Sequence, residues 1–561
     1  MATRMLSKLL PHGSIRRRAV KKLLGKKTLD EYGIWAENNR DNIPLYAQTP
    51  LATRPLVSVI VPAYNTPKKY LDPLVYSIVG QSYDNWELIL VNGSPDAAAR
   101  QRIDACKDID SRIKVVGLKQ NKGIADTTNE GIKEAQGDYI ALADHDDVLD
   151  EHALYEVVHA LQDNPEAGLV YTDEDKISEN GARYFDPHFK PDWSPDLMTN
   201  VNYITHFVVI KKTIVDKVGA LDSGKDGAQD YDFLLRVIDT GAKVVHVPKI
   251  LYHWRAAERS TAQDFSSKPY ITQNGKKSLE EHLARRHERA EVTVVPNRPG
   301  FYRVTYEPPK KVSIIIPPFA NNAVLQEYAA LLAERTHPDS MKVTFVTSDD
   351  VRLDLKKENM AIKRVTVKTY DKKFLNQALA VADETVVVMN QALLPETSDW
   401  LTQLSGLAEL KRVGAVAPVV VNNEQVIEDA GLVQYGNGLR ALFAAEQLGQ
   451  STYFGNTEWT RDVDALTGGC IVFKNSELQT FLKSSGRKSQ RDLFTEFSLH
   501  QKQQGKQNVL WACVVLSNGG FWPSGVETGP SFNPSLFWRG KDIRTCTTEE
   551  QLLNYLISLR K

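Results

Sequence analysis

The sequence predicts an α/β protein with mostly parallel sheets, laid out as two successive units on one plan. Three observations predict it. Short β-branched runs alternate with helical patterns from Val57 onward. The same order of elements restarts at Lys310. Polar and acidic residues collect where the predicted strands end.

The first unit opens with VSVIVPAYN and continues through WELILVNGS, IKVVGL, YIALADHDD and GLVYTDED. Each is an apolar, β-branched run of strand length that stops at turn-forming residues. Between them, Lys68 to Gly80 and Gly123 to Gln136 place apolar residues at i, i+3 and i+4, which predicts helices. Strand and helix in alternation give βα units, and hence a parallel sheet with helices on both faces. Ligands of such open sheets bind beyond the carboxyl ends of the strands. Asn65, Asn92 and Asp144 to Asp147 all fall there.

A Pro-containing stretch, PNRPGFYRVTYEPP, reads as a connector, and KKVSIIIPPFANN then begins the plan again. VSIIIP echoes VSVIVP, ERTHPDSMKVTFVTSDD echoes QSYDNWELILVNGSPD, and ETVVVMNQALLPETSDWL echoes GDYIALADHDDVLDEHAL. This is an internal repeat of a whole domain, carried by element order more than by identity. The expected organisation is a basic segment with a helical lead-in at 1–55, a first domain at 56–300, a second at 301–535 and a tail at 536–561. The tail ends in a helical pattern, EEQLLNYLISLRK.

Size and composition agree. At 561 residues the chain needs several cores, since domains average roughly 150 residues. Its 42 % hydrophobic and 25 % charged residues are ordinary for a soluble globular chain and exclude disorder. Cys106, Cys470, Cys513 and Cys546 form no CxxC pair, so neither a disulfide framework nor a structural zinc site is expected, and a reducing cytosol is. No apolar run has the length of a membrane span, and the start lacks a signal peptide's apolar core and cleavage site. A net charge of −1 gives no basis for a nucleic-acid partner. The beginning of the chain differs: Arg4, Lys8, Arg16 to Arg18, Lys21, Lys22, Lys26 and Lys27 occur with no acid among them. With Leu9, Leu10, Leu23 and Leu24 interleaved, the segment suits an anionic membrane surface. A solvated basic arm is the other reading, because Pro11 and Gly13 interrupt any single helix.

Three acidic or basic elements carry candidate chemistry. In ALADHDDVLD a strand runs straight into Asp144, His145, Asp146 and Asp147. Three carboxylates so close repel one another, and a divalent cation such as Mg2+ or Mn2+ would neutralise them. An Asp-rich turn that caps the next helix, with Asp150 before Glu151, accounts for the same residues without a metal. In GAQDYDFLLR, Asp230 and Asp232 sit near a helix start, where an acid either caps the helix or takes a proton from an attacking hydroxyl. In LYHWRAAERSTA, His253 offers an imidazole ligand and Arg255 a guanidinium for a diphosphate.

VSVIVPAYN, NKGIADTTNEGIKEAQGDYIALADHDD, FKPDWSPDL, QDYDFLLR and YHWR, in that order and spacing, resemble glycosyltransferase family 2. Within it they most resemble the bacterial rhamnosyltransferase-like branch of O-antigen and cell-wall polysaccharide enzymes. The resemblance spans residues 56 to 262 and implies two GT-A-like domains in tandem, each Rossmann-like with a mostly parallel sheet. It implies that Asp144 and Asp146 hold the metal against the donor's diphosphate; beside them, the residue types make His253 a candidate further ligand and Arg255 a candidate to share the leaving group's charge. It makes Asp230 the catalytic base, and Pro62, Ala63, Tyr64, Asn65 and Asn92 the nucleotide pocket. Asn92 departs from the family, which usually has an Asp there to bind base or ribose.

The second unit resembles the same family with its sites eroded. Asn390, Gln391 and Ala392 stand where the metal acids belong, and Phe494 stands near the base position with only Glu496 close by. The expectation is an inverting, metal-dependent transfer of a hexose or deoxyhexose, rhamnose from dTDP-rhamnose foremost. The acceptor would be a lipid-linked or polysaccharide glycan at the inner face of the cell membrane. Two rivals have discriminating features. A non-catalytic glycan-binding or scaffold protein would not need the intact acids of the first unit. A dehydrogenase or NTPase would need GxGxxG after the first strand or GxxxxGK[ST], and neither occurs.

Overall fold

The computed structural model describes Tyr32 and residues 50–518, apart from 257–268, 297, 319–321, 339, 350, 354, 356–357, 368–369, 390–392, 423, 436–437, 444–445, 450–457 and 485–489. The basic N-terminal segment, Asn390 to Ala392 and the EEQLLNYLISLRK tail therefore lie outside the described residues. Two compact units emerge. The first takes the residues up to Trp193 and then Asn202–His282; the second takes Ser194–Val201 and continues from Leu283. Among the described residues no helix is long and apolar enough to cross a membrane.

The first unit contains β1 (Val57–Ala63), β2 (Trp86–Asn92), β3 (Ile113–Gly117), β4 (Tyr139–Leu142), β5 (Val148–Leu149), β6 (Ala167–Ser178), β7 (Tyr184–His188), β8 (Val208–Lys211) and β9 (Lys243–Ala256). They form one sheet in the order β3-β2-β1-β4-β8-β6-β9-β5, with β7 beside β6. β3, β2, β1 and β4 run parallel. Past β4 the sheet is mixed, because β8 lies antiparallel to both β4 and β6 while β9 runs parallel to β6. Periodicity reports that a strand exists but not which neighbour it takes, so alternation alone could not reveal the inserted β8.

Helices cover the parallel half. α1 (Lys68–Val79) buries Tyr70, Leu71, Leu74, Val75 and Ile78, the stripe expected of a helix lying on a sheet. α2 (Ala97–Asp104) starts at Asp96, whose side chain accepts the Ala99 N–H. α3 (Gly123–Glu134) lies so near the strands that a Cβ on Gly131 would fall 2.5 Å from Ile60 Cγ2. Glycine alone permits that approach. α4 (Ala153–Asp163) follows β5.

Further along the chain come α5 (Pro195–Met198), within the second unit, then α6 (Lys212–Val218), α7 (Gln229–Asp239) and α8 (Pro269–Arg285). The second unit's main strands are β10 (Lys311–Ile315), β11 (Lys342–Ser348), β12 (Met360–Val365), β13 (Thr385–Met389), β14 (Leu393–Pro395), β15 (Val413–Val421), β16 (Cys470–Lys474) and β17 (Gln507–Asn518). Their order is β12-β11-β10-β13-β16-β15-β17-β14. The first four are parallel, β16 is antiparallel to β13 and β15, and β17 is parallel to β15. Strand for strand this is the topology of the first unit, so the repeat heard in the sequence is a repeat of the whole fold.

Candidate active site

The turn after β4 holds two kinds of carboxylate. Asp144 has 42 % of its side chain exposed and Asp146 is half-buried, whereas Asp147 is fully buried. Asp147 is fixed from β9, where the Tyr252 hydroxyl donates to Oδ2 at 2.5 Å and the Arg255 backbone N–H to Oδ1 at 2.7 Å. The same Tyr252 oxygen accepts the Asp144 N–H at 3.1 Å. Asp147 thus shapes the turn, and Asp144 and Asp146 are left with surface for a ligand. Burial, and then the charges of Asp144 and Asp146, push the Asp147 carboxyl well above the usual range. Asp146 is raised too, by burial first; His145 opposes the shift and Asp144 adds to it.

Behind this turn lies a layer that sequence reasoning missed. Three consecutive acids of β6, Asp173, Glu174 and Asp175, occupy a buried strand, and each meets a histidine. Glu174 takes the Nδ1 of His206 at 3.2 Å and also its backbone N–H, while buried Lys190 lies 3.4 Å from the same oxygen. Burial alone would raise Glu174, but Lys190 and then His206 outweigh it and hold the carboxyl well below its usual range. Burial pulls His206 down, yet Glu174 outweighs that, with Asp144 and Asp147 adding to it, and lifts it to about 9. On its other side, His206 Nε2 stands 3.7 Å from Asp144 Oδ2. The visible signal was TDED inside an apolar run, since charges persist in a buried strand only when paired.

Asp230 opens α7 half-buried, and its Oδ2 accepts the Asn202 side-chain N–H at 3.0 Å. Burial raises its pKa; the Tyr231 backbone N–H and His206 oppose, and Asp144 reinforces the rise. Asp144, His206 and Asp230 therefore share one electrostatic neighbourhood. The neighbouring Asp232 instead binds Arg236 at 2.9 Å and is a structural acid. Gly227, just before α7, has a φ of +79° and packs under Ile271, where a Cβ would meet Cγ1 at 2.4 Å.

His253 and Arg255 are placed differently from their expected roles. Alternate residues of a strand face opposite sides, and in β9 it is Tyr252 that reaches the acidic turn. His253 is buried with Nδ1 on Asp175, whose other oxygen accepts the Tyr32 hydroxyl at 2.6 Å. Asp144 and Asp146 are thus left without it. Arg255 is buried beneath the turn: Nε donates to the Asp146 carbonyl at 2.5 Å and Nη1 to the Glu179 carbonyl at 3.1 Å, while Nη2 is buried without a hydrogen-bond partner.

At the ends of β1 and β2, the Gly93 N–H reaches the Ala63 carbonyl at 3.0 Å and the Asn65 N–H reaches Ser94 Oγ at 2.9 Å. Pro62 is half-buried and Ala63 buried, whereas Tyr64 is 46 % exposed and Asn65 turns the chain with a φ of 50°. Asn92 is fully buried. Its Nδ2 donates to the Arg100 carbonyl at 3.1 Å and to Asp104 at 2.9 Å, and its Oδ1 accepts the Ser94 N–H at 3.1 Å. Both amide protons are spent, so Asn92 builds the loop and offers no free donor to a base.

Among the described residues no three His, Cys, Asp or Glu side chains converge into a ready-made metal cage. Asp144 and Asp146 nevertheless suit a hard cation, because Mg2+ is commonly held by one or two carboxylates and takes its other oxygens from water and substrate phosphates. In the second unit, the α-helix Gln490–Gln503 buries Phe494 against Phe473 and under Gly468, so that position serves the core.

The family model for glycosyl transferase family 2 matches residues 58–219, which include the acidic turn and His206 and stop before Asp230. An uncharacterized protein of Sinorhizobium fredii is 36 % identical over 76 % of this chain and 48 % of its own length. The O-antigen biosynthesis protein RfbC of Myxococcus xanthus is 31 % identical over 82 % of this chain and 38 % of its own. A putative teichuronic acid biosynthesis glycosyltransferase of Bacillus subtilis is 40 % identical over 17 % of this chain and 37 % of its own. The chain thus spans less than half the length of each of these relatives.

Proposed function

Residues 58–219 form a glycosyl transferase family 2 domain, and from that premise we propose that the chain moves a hexose or deoxyhexose from a nucleotide sugar to a growing cell-surface polysaccharide. The observation that carries this reading is Asp230, a half-buried carboxylate held by Asn202 within electrostatic reach of the Asp144 turn. Similarity to proteins of O-antigen and teichuronic acid synthesis supports the polysaccharide acceptor. Within this reading rhamnose from dTDP-rhamnose, a lipid-linked acceptor and the inner membrane face are the specific forms to test. The run of lysines and arginines before Thr28 supports the last.

Asp144 and Asp146 would hold Mn2+ or Mg2+, which when bound supplies positive charge to the leaving diphosphate. Tyr252 and Arg255 keep the turn in shape from below, through Asp147 and the Asp146 carbonyl. Asp230 takes the proton of the acceptor hydroxyl as that oxygen attacks the anomeric carbon from the face opposite the nucleotide, which inverts the centre. Asn202 orients Asp230 through a hydrogen bond to one of its oxygens. Tyr64 and Asn65 line the nucleotide end. The second unit is proposed to be catalytically silent and to bind glycan or a partner, with Phe494 packed where an acid would be needed.

The test is a panel of nucleotide sugars with Mn2+ or Mg2+, read by nucleotide release with and without cell-envelope lipid extract. Release that requires one sugar and the extract supports the proposal. No release from any donor with either ion counts against it and favours a glycan-binding role.

A further inference from the structure

His206 is drawn into the site by contacts from two strands and from the turn after β4. From β6, Glu174 takes both its backbone N–H and its Nδ1, the latter at 3.2 Å. From β9, the Tyr252 ring stacks on it with centroids 5.2 Å apart and planes 13° from parallel. From the end of β4, Asp144 brings Oδ2 to 3.7 Å from Nε2. The chain around His206 is fixed as well, because buried Lys190 donates to the Ile204 carbonyl at 3.3 Å and to the His206 carbonyl.

We infer that His206 is a positioning residue for Asp144: anchored by Glu174 and stacked on Tyr252, it directs Nε2 at the Asp144 carboxylate and fixes the orientation in which that carboxylate receives a cation. The inference rests on the proposed role of Asp144. Asp144 is the acid of the turn that faces His206. Its backbone N–H is held by Tyr252, but its side chain is 42 % exposed, and a carboxylate free to rotate loses entropy when it becomes a ligand. Tyr252 and His206 divide the work, the phenol fixing the main chain of Asp144 and the imidazole its side chain. Groups that orient a ligand from behind typically change metal affinity by about 10- to 100-fold when removed.

The experiment measures binding of Mn2+ with dTDP, and separately with UDP, by calorimetry on the full chain. The variants are His206→Phe, His206→Gln, Glu174→Gln and Asp144→Ala, each checked for a native unfolding transition. His206→Phe keeps the ring stack and loses the nitrogens, so it should weaken Mn2+–nucleotide binding by about tenfold or more. His206→Gln retains a donor and should recover most of that loss, and Glu174→Gln should give a smaller loss in the same direction. A metal-free readout is independent of loading: the imidazole nitrogen resonances of His206 should move in Asp144→Asn. If His206→Phe folds and binds as the parent does while Asp144→Ala loses binding, the positioning role is wrong and the site reading survives. If Asp144→Ala also binds normally, the site reading itself fails and takes this inference with it.

Discussion

The side-chain amide of Asn202 donates to Asp230 Oδ2 at 3.0 Å, so the candidate base is held by a residue from outside its own helix. Asp230→Asn removes the proton acceptor and keeps the shape. Transfer should fall by roughly a hundred- to ten-thousand-fold while donor binding stays within error, because general-base catalysis contributes on that scale. Asn202→Ala should cost less, since it releases only the orientation. Burial also raises Asp230, so the acid limb of the rate profile should lie above the ordinary aspartate range. Steady-state kinetics across pH and donor calorimetry check all three.

Tyr252→Phe should act on the turn before it acts on chemistry. The hydroxyl gives Asp147 Oδ2 its hydrogen bond and receives the Asp144 N–H, and Asp147 is fully buried. Leaving such an acceptor unpaired costs about 1–3 kcal/mol. Chemical denaturation should show a loss of that size, and nucleotide binding should weaken in proportion to the disturbance at Asp144. A variant as stable as the parent would mean that Asp147 is held by other means.

His246 predicts an alkaline weakness. Its Nε2 faces buried Asp173 at 2.8 Å, its Nδ1 faces Asp192 at 2.9 Å, and its ring stacks on Tyr171 with centroids 4.7 Å apart. Burial lowers the imidazole pKa, but Asp173 and Asp192 outweigh it and lift the value to about 9, against 6.5 when exposed. A histidine raised on folding stabilises the native state fully below its unfolded pKa. That contribution disappears as pH climbs through the folded value. Unfolding free energy should decline between pH 6.5 and about 9, and the decline should be shallower in His246→Gln. His206 titrates in the same window, so the double variant should flatten the curve further.

Much of this was readable in advance, and the boundary of what was readable has a physical cause. α1, α3 and the strands that open each unit announce themselves because their partners are local in pattern: one apolar stripe, one β-branched run. The acidic turn stood out for the same reason, three carboxylates lying side by side. Glu174, Lys190, Asn202, His206 and Tyr252 did not, because each works through a residue far along the chain, and a single sequence does not record which distant side chains meet. His253 was misplaced by one strand position, the smallest step that moves a residue to the opposite face of a sheet. Asn92 looked like a weakened ligand, whereas folding had already used its amide. The inserted β8 and the assignment of Ser194–Val201 to the second unit depend on tertiary pairing, to which periodicity is blind.

The segment Ser194–Val201 leads to the last prediction. Within the second unit, Arg412 grips Asp196 with two nitrogens at 2.6 and 2.9 Å, and Ser194 Oγ donates to Asp462 at 2.7 Å. Asp196 is buried and Arg412 nearly so, with exposures of 1 % and 18 %, and Tyr306 and Glu288 lie alongside the guanidinium. Asp196 thus depends chiefly on one cation, while half-buried Asp462 is pushed well above the usual range by burial and then by Asp196, with the Ser194 hydroxyl and then Arg412 opposing the rise. Deleting one partner of a buried pair typically costs about 3–5 kcal/mol, because the other charge stays behind without compensation. Arg412→Ala should therefore destabilise the second unit by an amount in that range and speed hydrogen exchange at Arg461 to Val463. Arg412→Lys should recover only part of the loss, since one ammonium cannot replace a two-pronged grip on the carboxylate. Equal stability of Arg412→Lys and the parent would mean that charge alone, without the fork geometry, holds this segment in place.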